Sequence, residues 1–197
     1  MDVVKGLLEV NPNKPNSQGW TLLGCAATNG HEEVVKVLLG RDRVNPDGLD
    51  TYSRTPLFHA AWGGHVEVVK VLVRREDVDP NKQDKFRRTP LLCAARGGHV
   101  EVVKVLLTQQ GVNPSVTDNN GRSPLLFAAW YGHAEVVKML LGQDGVDPYR
   151  PDKYGQIPMM IAAKFGHERV IALLQHKEPG VWEGFKAKEI LPYGNRI

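Results

Sequence analysis

Cysteine is scarce in this 197-residue sequence: there are only two, Cys25 and Cys93, 68 residues apart. That distance is two steps of the internal period described below. Packed helices are spaced ~8–10 Å apart, which puts the pair beyond the ~7 Å Cα limit for a disulfide. A disulfide framework is therefore excluded, and free thiols fit a reducing compartment. No apolar run approaches the ~18 residues of a membrane span. The opening MDVVKGLLEV has no signal-peptide core. Neither sign of charge dominates, with 25 Lys and Arg against 22 Asp and Glu and a formal net charge of +3. A Gly-rich phosphate loop, a nucleophile elbow and zinc-type Cys/His spacing are all missing. These gaps predict a soluble, cytoplasmic monomer, with the nucleus as the alternative compartment. They also predict no catalytic residue, no metal and no cofactor.

What the sequence does have is repetition. The pattern T/S-x-L-x-x-A-A begins at Thr21, Thr55, Thr89 and Ser123, with a weaker match at Ile157. Each step is 34 residues. Gly-His pairs at Gly30-His31, Gly64-His65, Gly98-His99, Gly132-His133 and Gly166-His167 keep the same step. So do the V-N/D-P triplets that begin at Val10, Val44, Val78, Val112 and Val146. Three markers with one period indicate a solenoid, in which each unit buries its apolar face only against its neighbours.

One unit, Asp50 to Gln83, shows how the pattern folds. Thr55 suits a helix N-cap and Pro56 the first helical position. Leu57, Ala60 and Ala61 give a short first helix with a small-residue face. Gly63-Gly64 ends it. His65 opens a second helix, VEVVKVLV, with Val66, Val69 and Leu72 at helical spacing. Val78-Asp79-Pro80 is extended, since proline cannot continue a helix. One histidine per unit stands about a helix spacing from the next, too far to share a metal with bonds near ~2 Å. The ladder Glu33, Glu67, Glu101 and Glu135, each with a lysine three residues on, reads as an ion-paired solvent face.

Thr55-Pro56-Leu57, Ala60-Ala61, Gly64-His65, Val68-Val69-Lys70 and Asp84 together resemble the ankyrin repeat. The resemblance implies an all-α solenoid of helix-turn-helix units with β-hairpin loops. It covers roughly 16–176, with units starting at 16, 50, 84, 118 and 152. Residues 1–15 read as a partial N-terminal unit, a second helix without its first, and 177–197 as a tail or cap. The wording of the units also resembles arrays in fungal multidomain proteins. There are departures from the family. Its histidine after Thr-Pro-Leu is absent, its hairpin glycine survives as Gly19, Gly121 and Gly155 but is Ser53 and Arg87 in between, and Ile157 supplies no cap.

In the family, the hairpin tips and the ends of the first helices line one concave face. Carried onto this chain, five positions per unit include Trp20, Tyr52, Arg54, Trp62, Lys85, Phe86, Arg88, Arg96, Arg122, Trp130, Tyr131, Lys153, Tyr154, Lys164 and Phe165. These 25 positions hold eight of the 14 aromatics, four Arg, three Lys and no Asp or Glu. Trp, Tyr and Arg dominate binding hot spots, and Arg54, Arg88 and Arg122 form a ladder in one slot. The resemblance and this composition imply a protein-interaction scaffold that binds an acidic or phosphorylated protein segment. The rival reading is nucleic-acid binding through the same face, and a third is a scaffold piece of a larger signalling protein.

Overall fold

The computed structural model describes residues 11–17 and 19–176. Gln18, most of the partial unit expected at 1–15 and the tail at 177–197 lie outside the described residues. Ten helices form five pairs among the described residues: α1 Leu22–Thr28 with α2 Glu32–Leu39, α3 Pro56–Gly63 with α4 Val66–Val73, and α5 Pro90–Gly97 with α6 Val100–Leu107. The last two pairs are α7 Pro124–Trp130 with α8 Ala134–Leu141, and α9 Pro158–Lys164 with α10 Glu168–Gln175. First helices stack on first helices and second helices on second helices, so the chain is an all-α solenoid.

Each first helix is short because it is closed at both ends by sequence. The hydroxyls of Thr21, Thr55, Thr89 and Ser123 accept from the backbone N–H three residues on, at 3.1–3.2 Å. Ile157 makes no such bond, so α9 starts without a side-chain cap. Leu23, Leu57, Leu91 and Leu125 share one fully buried slot, with Ala27, Ala61, Ala95 and Ala129 beside it. The alanines let the helices approach closely. Each buried leucine stabilises the fold by ~1.5–3 kcal/mol, and one apolar cluster runs through all five units.

The Gly-His pairs fasten one unit to the next. His65 Nε2 lies 2.8 Å from the Thr28 carbonyl oxygen, and His99, His133 and His167 repeat this with the carbonyls of Trp62, Arg96 and Trp130 at 2.9–3.1 Å. With the proton on Nε2, each ring satisfies a carbonyl at the end of the preceding first helix. The glycine leaves room for that ring: a Cβ on Gly98 would stand 2.5 Å from His133 Nδ1. The histidines are therefore inter-unit staples. Among the described residues no group of three or more His, Cys, Asp or Glu could hold a metal ion.

On the outer face the glutamate-lysine pairing holds in part. Lys36 bonds Glu33 and Lys70 bonds Glu67, at 2.8 and 2.7 Å. Glu135 instead meets Arg169 of the next unit at 3.4 Å. Among the described residues no ion pair joins Glu101 to Lys104.

The hairpins between units are turns, and no strand occurs among the described residues. Their glycine register predicts positive φ at the two non-glycine sites, and Ser53 and Arg87 both have φ of 62°. Arg43, with φ of 70°, is a third such residue. It shares its slot with Gly111 and Gly145, both left-handed. A Cβ in this region costs ~1–2 kcal/mol. Ser53→Gly, Arg87→Gly and Arg43→Gly are each expected to raise stability by about 1 kcal/mol, read as a higher urea midpoint. A lower midpoint would show that side-chain contacts at these tips outweigh the backbone strain.

A second ladder joins the loops after the V-N/D-P triplets. Asn81 Nδ2 donates to the Gly111 carbonyl at 2.7 Å, and Asn81 Oδ1 accepts from Asn113 N–H at 2.9 Å. Asn13 makes the same two bonds to Arg43 and Asn45. Asp47 stands in this slot but has no proton to donate. Its Oδ2 accepts from Asp79 N–H at 3.0 Å, while its Oδ1 is buried without a partner. Burial pushes the Asp47 carboxyl above its ordinary range, against the pull of the Asp79 N–H. Asp47→Asn supplies the missing donor to the matching carbonyl, that of Asp77. It is expected to stabilise by about 1 kcal/mol, the scale of an unmet buried polar group. The check is chemical denaturation at pH 7, and a loss of stability would mean that Asp47 has a charge-dependent task.

Candidate functional site

The fifteen face residues form two lanes. Tyr52, Phe86 and Tyr154 stand on the hairpin tips, 49%, 47% and 74% exposed. Trp62, Tyr131 and Phe165, each 44–46% exposed, stand at the ends of first helices. The rings touch along each lane: Tyr52 stacks on Phe86 at 6.5 Å and Trp130 on Phe165 at 5.9 Å. Trp20 is drawn inward, its ring 4.5 Å from His59. Lys85, Lys153 and Lys164 are exposed, with Lys164 Nζ 5.8 Å from the Phe165 ring centre. Backbone bonds tie neighbouring tips together, from Lys85 N–H to Tyr52 O, Asn119 N–H to Phe86 O and Lys153 N–H to Asn120 O, all at 2.9–3.0 Å.

The arginine ladder is built into the hairpins. Arg54 Nε donates to Asp50 Oδ2 at 2.7 Å, Arg88 Nε and Nη2 to Asp84 Oδ2 at 2.8 and 2.6 Å, and Arg122 Nε to Asp118 Oδ2 at 2.9 Å. The other oxygen of each carboxylate accepts two backbone N–H groups, as Asp84 Oδ1 does from Phe86 and Arg88 at 2.9 and 2.8 Å. The aspartates are buried under the face, their side chains 0–4% exposed. Burial alone would raise the Asp50 carboxyl, but the Arg54 and Tyr52 N–H groups and the Arg54 guanidinium hold it below its ordinary value. His59 Nε2 reaches the same carboxylate at 3.1 Å. Burial, reinforced by Arg54, lowers the His59 pKa against the opposing pull of Asp50. Each ladder rung is thus an internal ion pair and not an unsatisfied fork. The composition of the face hides this, because the acids sit one layer below it. Their signal is present in the sequence as an aspartate four residues before each ladder arginine.

Of the seven face cations three are matched in this way, leaving Arg96, Lys85, Lys153 and Lys164 with no ion pair among the described residues. Arg96 is the half-buried one. Its guanidinium carbon lies 5.6, 5.7 and 5.8 Å from the ring centres of Trp62, Phe127 and Tyr131. It borders a cleft of about 210 Å³ between the third and fourth units, where Asn119, Asn120 and Trp130 also face inward. Phe127 on α7 and Asp118, the partner of Arg122, are the cleft residues that the repeat register did not single out, both being buried. Cys25 and Cys93 are free thiols. Burial pushes the Cys93 thiol up to about 12, which keeps it protonated and unreactive. No helix among the described residues is long and apolar enough to cross a membrane.

Two family models match the chain. One, for ankyrin repeats in three copies, covers residues 1–84 and 73–152, and another, for ankyrin repeats in many copies, covers 137–175. No catalytic family is indicated. A comparison with curated proteins finds no match. With helix pairs stacked through five units and histidines stapling the second to fifth of them, the chain belongs to the ankyrin-repeat family.

Proposed function

We propose that this chain is a protein-interaction module whose groove takes an acidic or phosphorylated segment of a partner protein. Ankyrin repeats generally mediate protein–protein interaction. The choice of an acidic ligand rests on one observation, the Arg96 guanidinium. It is held by three aromatic rings at the edge of a cleft, with no carboxylate paired to it among the described residues. A carboxylate or phosphate entering there gains a charge-assisted, two-point bond in a partly desolvated place. Trp62 and Tyr131 offer apolar surface on either side, and Lys85 and Lys153 add long-range attraction along the tips. Internal neutralisation of the ladder weighs against nucleic acid, since affinity for a phosphate backbone grows with the number of uncompensated cations.

The test is selection of ligands from a random peptide library displayed with and without tyrosine, serine and threonine phosphorylation. Selected sequences should be enriched in Asp, Glu or phosphoresidues next to an apolar residue. Their binding should weaken with salt, because exposed charges are screened beyond ~8–10 Å at physiological ionic strength. A pool without acidic enrichment overturns the reading. Tight single-stranded oligonucleotide binding in place of peptide binding would move it to nucleic acid.

A further inference from the structure

The four aspartates that open the second to fifth hairpins are not equally provided for. Asp50, Asp84, Asp118 and Asp152 each accept two backbone N–H groups on Oδ1, from the residues two and four positions on, at 2.8–3.0 Å. In the first three, Oδ2 takes the arginine of the same hairpin. In the fifth hairpin that arginine slot holds Gln156. Asp152 is nonetheless 6% exposed, and its Oδ2 has no hydrogen-bond partner. A buried carboxylate oxygen without a donor is costly. The first hairpin shows how the same chain avoids that cost. Where Trp20 replaces the arginine, the capping residue is the neutral Asn16, whose Oδ1 accepts from Trp20 N–H at 2.9 Å. The fifth hairpin has lost the arginine and kept the charge.

The aromatic part of the clamp is also kept. Arg54 lies over Tyr52 at 4.7 Å and Arg88 over Phe86 at 4.8 Å. Tyr154 occupies the same slot in the fifth hairpin and is 74% exposed, against 47–49% for the two rings that carry an arginine. A carboxylate oxygen with a ring two residues on, the pair that Arg54 and Arg88 fill in their own hairpins, fits a planar guanidinium, which stacks and donates at once. An ammonium is a point charge and does neither in the same way.

We propose that the fifth hairpin, through the buried Asp152 carboxylate and the exposed Tyr154 ring, accepts the guanidinium of an arginine presented by a partner protein. Gln156, half-buried in the arginine slot, is the side chain that yields to it. The site is opposite in sign to the Arg96 cleft and does not depend on it. A partner that carries an arginine beside an acidic stretch would engage both.

The test uses the full chain, labelled with ¹⁵N, and N-acetyl-arginine methylamide as probe, with the lysine analogue as control. The amides of Tyr154 and Gln156, both bound to Asp152 Oδ1, report on the carboxylate directly. A saturable shift of these two amides is expected, with a dissociation constant in the millimolar range suited to one isolated side chain, and a much smaller response to lysine. Asp152→Asn, which keeps an oxygen to accept backbone N–H groups as Asn16 does from Trp20, should lose the shift. Gln156→Arg should also lose it, because the chain then fills its own clamp, and should raise the thermal midpoint by about 2–4 °C. Arg196, the one arginine outside the described residues, is tested by Arg196→Gln, which should bind the probe as the parent does. The proposal falls if no saturable shift occurs, if lysine matches arginine, or if Gln156→Arg still takes the probe. It also falls if only Arg196→Gln takes it, since the chain itself would then supply the guanidinium. None of these outcomes alters the fate of the Arg96 cleft, whose failure would be read in peptide selection.

Discussion

Replacing Asp84 by alanine is expected to cost the fold about 3–5 kcal/mol, the scale for breaking a buried ion pair from one side. Asp84 has a fully buried side chain, and Arg88 is 16% exposed. The substitution orphans the guanidinium and two backbone N–H groups together. Asp84→Asn keeps the oxygen that holds those N–H groups and should lose clearly less. Arg88→Met in the Asp84→Ala background should return part of the loss, because it removes the stranded charge. Urea denaturation of the parent, Asp84→Ala, Arg88→Met and the double variant as a double-mutant cycle measures the coupling. A loss under about 1 kcal/mol for Asp84→Ala would place the pair with exposed salt bridges of little consequence. The ladder arginines would then be available to a partner.

Alanine at Gly98 is the second large effect. Gly98 has φ of 70°, and its Cβ would meet His133 Nδ1 at 2.5 Å and Cε1 at 2.6 Å. The left-handed backbone alone costs ~1–2 kcal/mol with a Cβ. Driving the His133 ring from the Arg96 carbonyl leaves a part-buried polar group unmet, for ~1 kcal/mol more. About 2–3 kcal/mol in total is expected. Gly111 supplies the control. Its φ is 80° but nothing lies within 4 Å of its Cβ position, so Gly111→Ala should cost only about 1 kcal/mol. Equal losses at the two sites would mean that the histidine staple contributes nothing beyond backbone geometry.

Much of this fold is legible in the sequence because each unit repeats the same solution. A 34-residue step aligns the caps, alanine faces and hairpin glycines, so one unit interprets the others. That register finds the positive φ of Ser53 and Arg87. It reaches Arg43 only when Gly111 and Gly145 are placed beside it. The task of the Gly-His pairs is less legible. His99 bonds the carbonyl of Trp62, 37 residues earlier, and such a contact depends on how units stack rather than on either unit alone. The candidate site divides in the same way. Its aromatic and basic residues are found by the slots that vary, but the aspartates beneath the arginines belong to fixed slots and escape a reading of the variable face. What separates the arginines is a buried aspartate within reach, which a sequence shows only indirectly. Arg54, Arg88 and Arg122 each have one and are struts, whereas the half-buried Arg96 has no ion pair among the described residues.

The most direct measurement of the account is the dissociation constant of a library-selected acidic peptide for the parent chain and for Arg96→Gln. Thermal melts of both proteins should be taken in the same buffer. Arg96 has no ion pair to lose among the described residues but does lose its three ring contacts, so the variant should melt no more than about 2–4 °C below the parent. A hydrogen bond to a charged group contributes ~1.5–3 kcal/mol, which predicts affinity weaker by roughly tenfold or more. Affinity within about twofold of the parent, with the fold intact, would contradict the claim that Arg96 anchors an acidic partner in this groove.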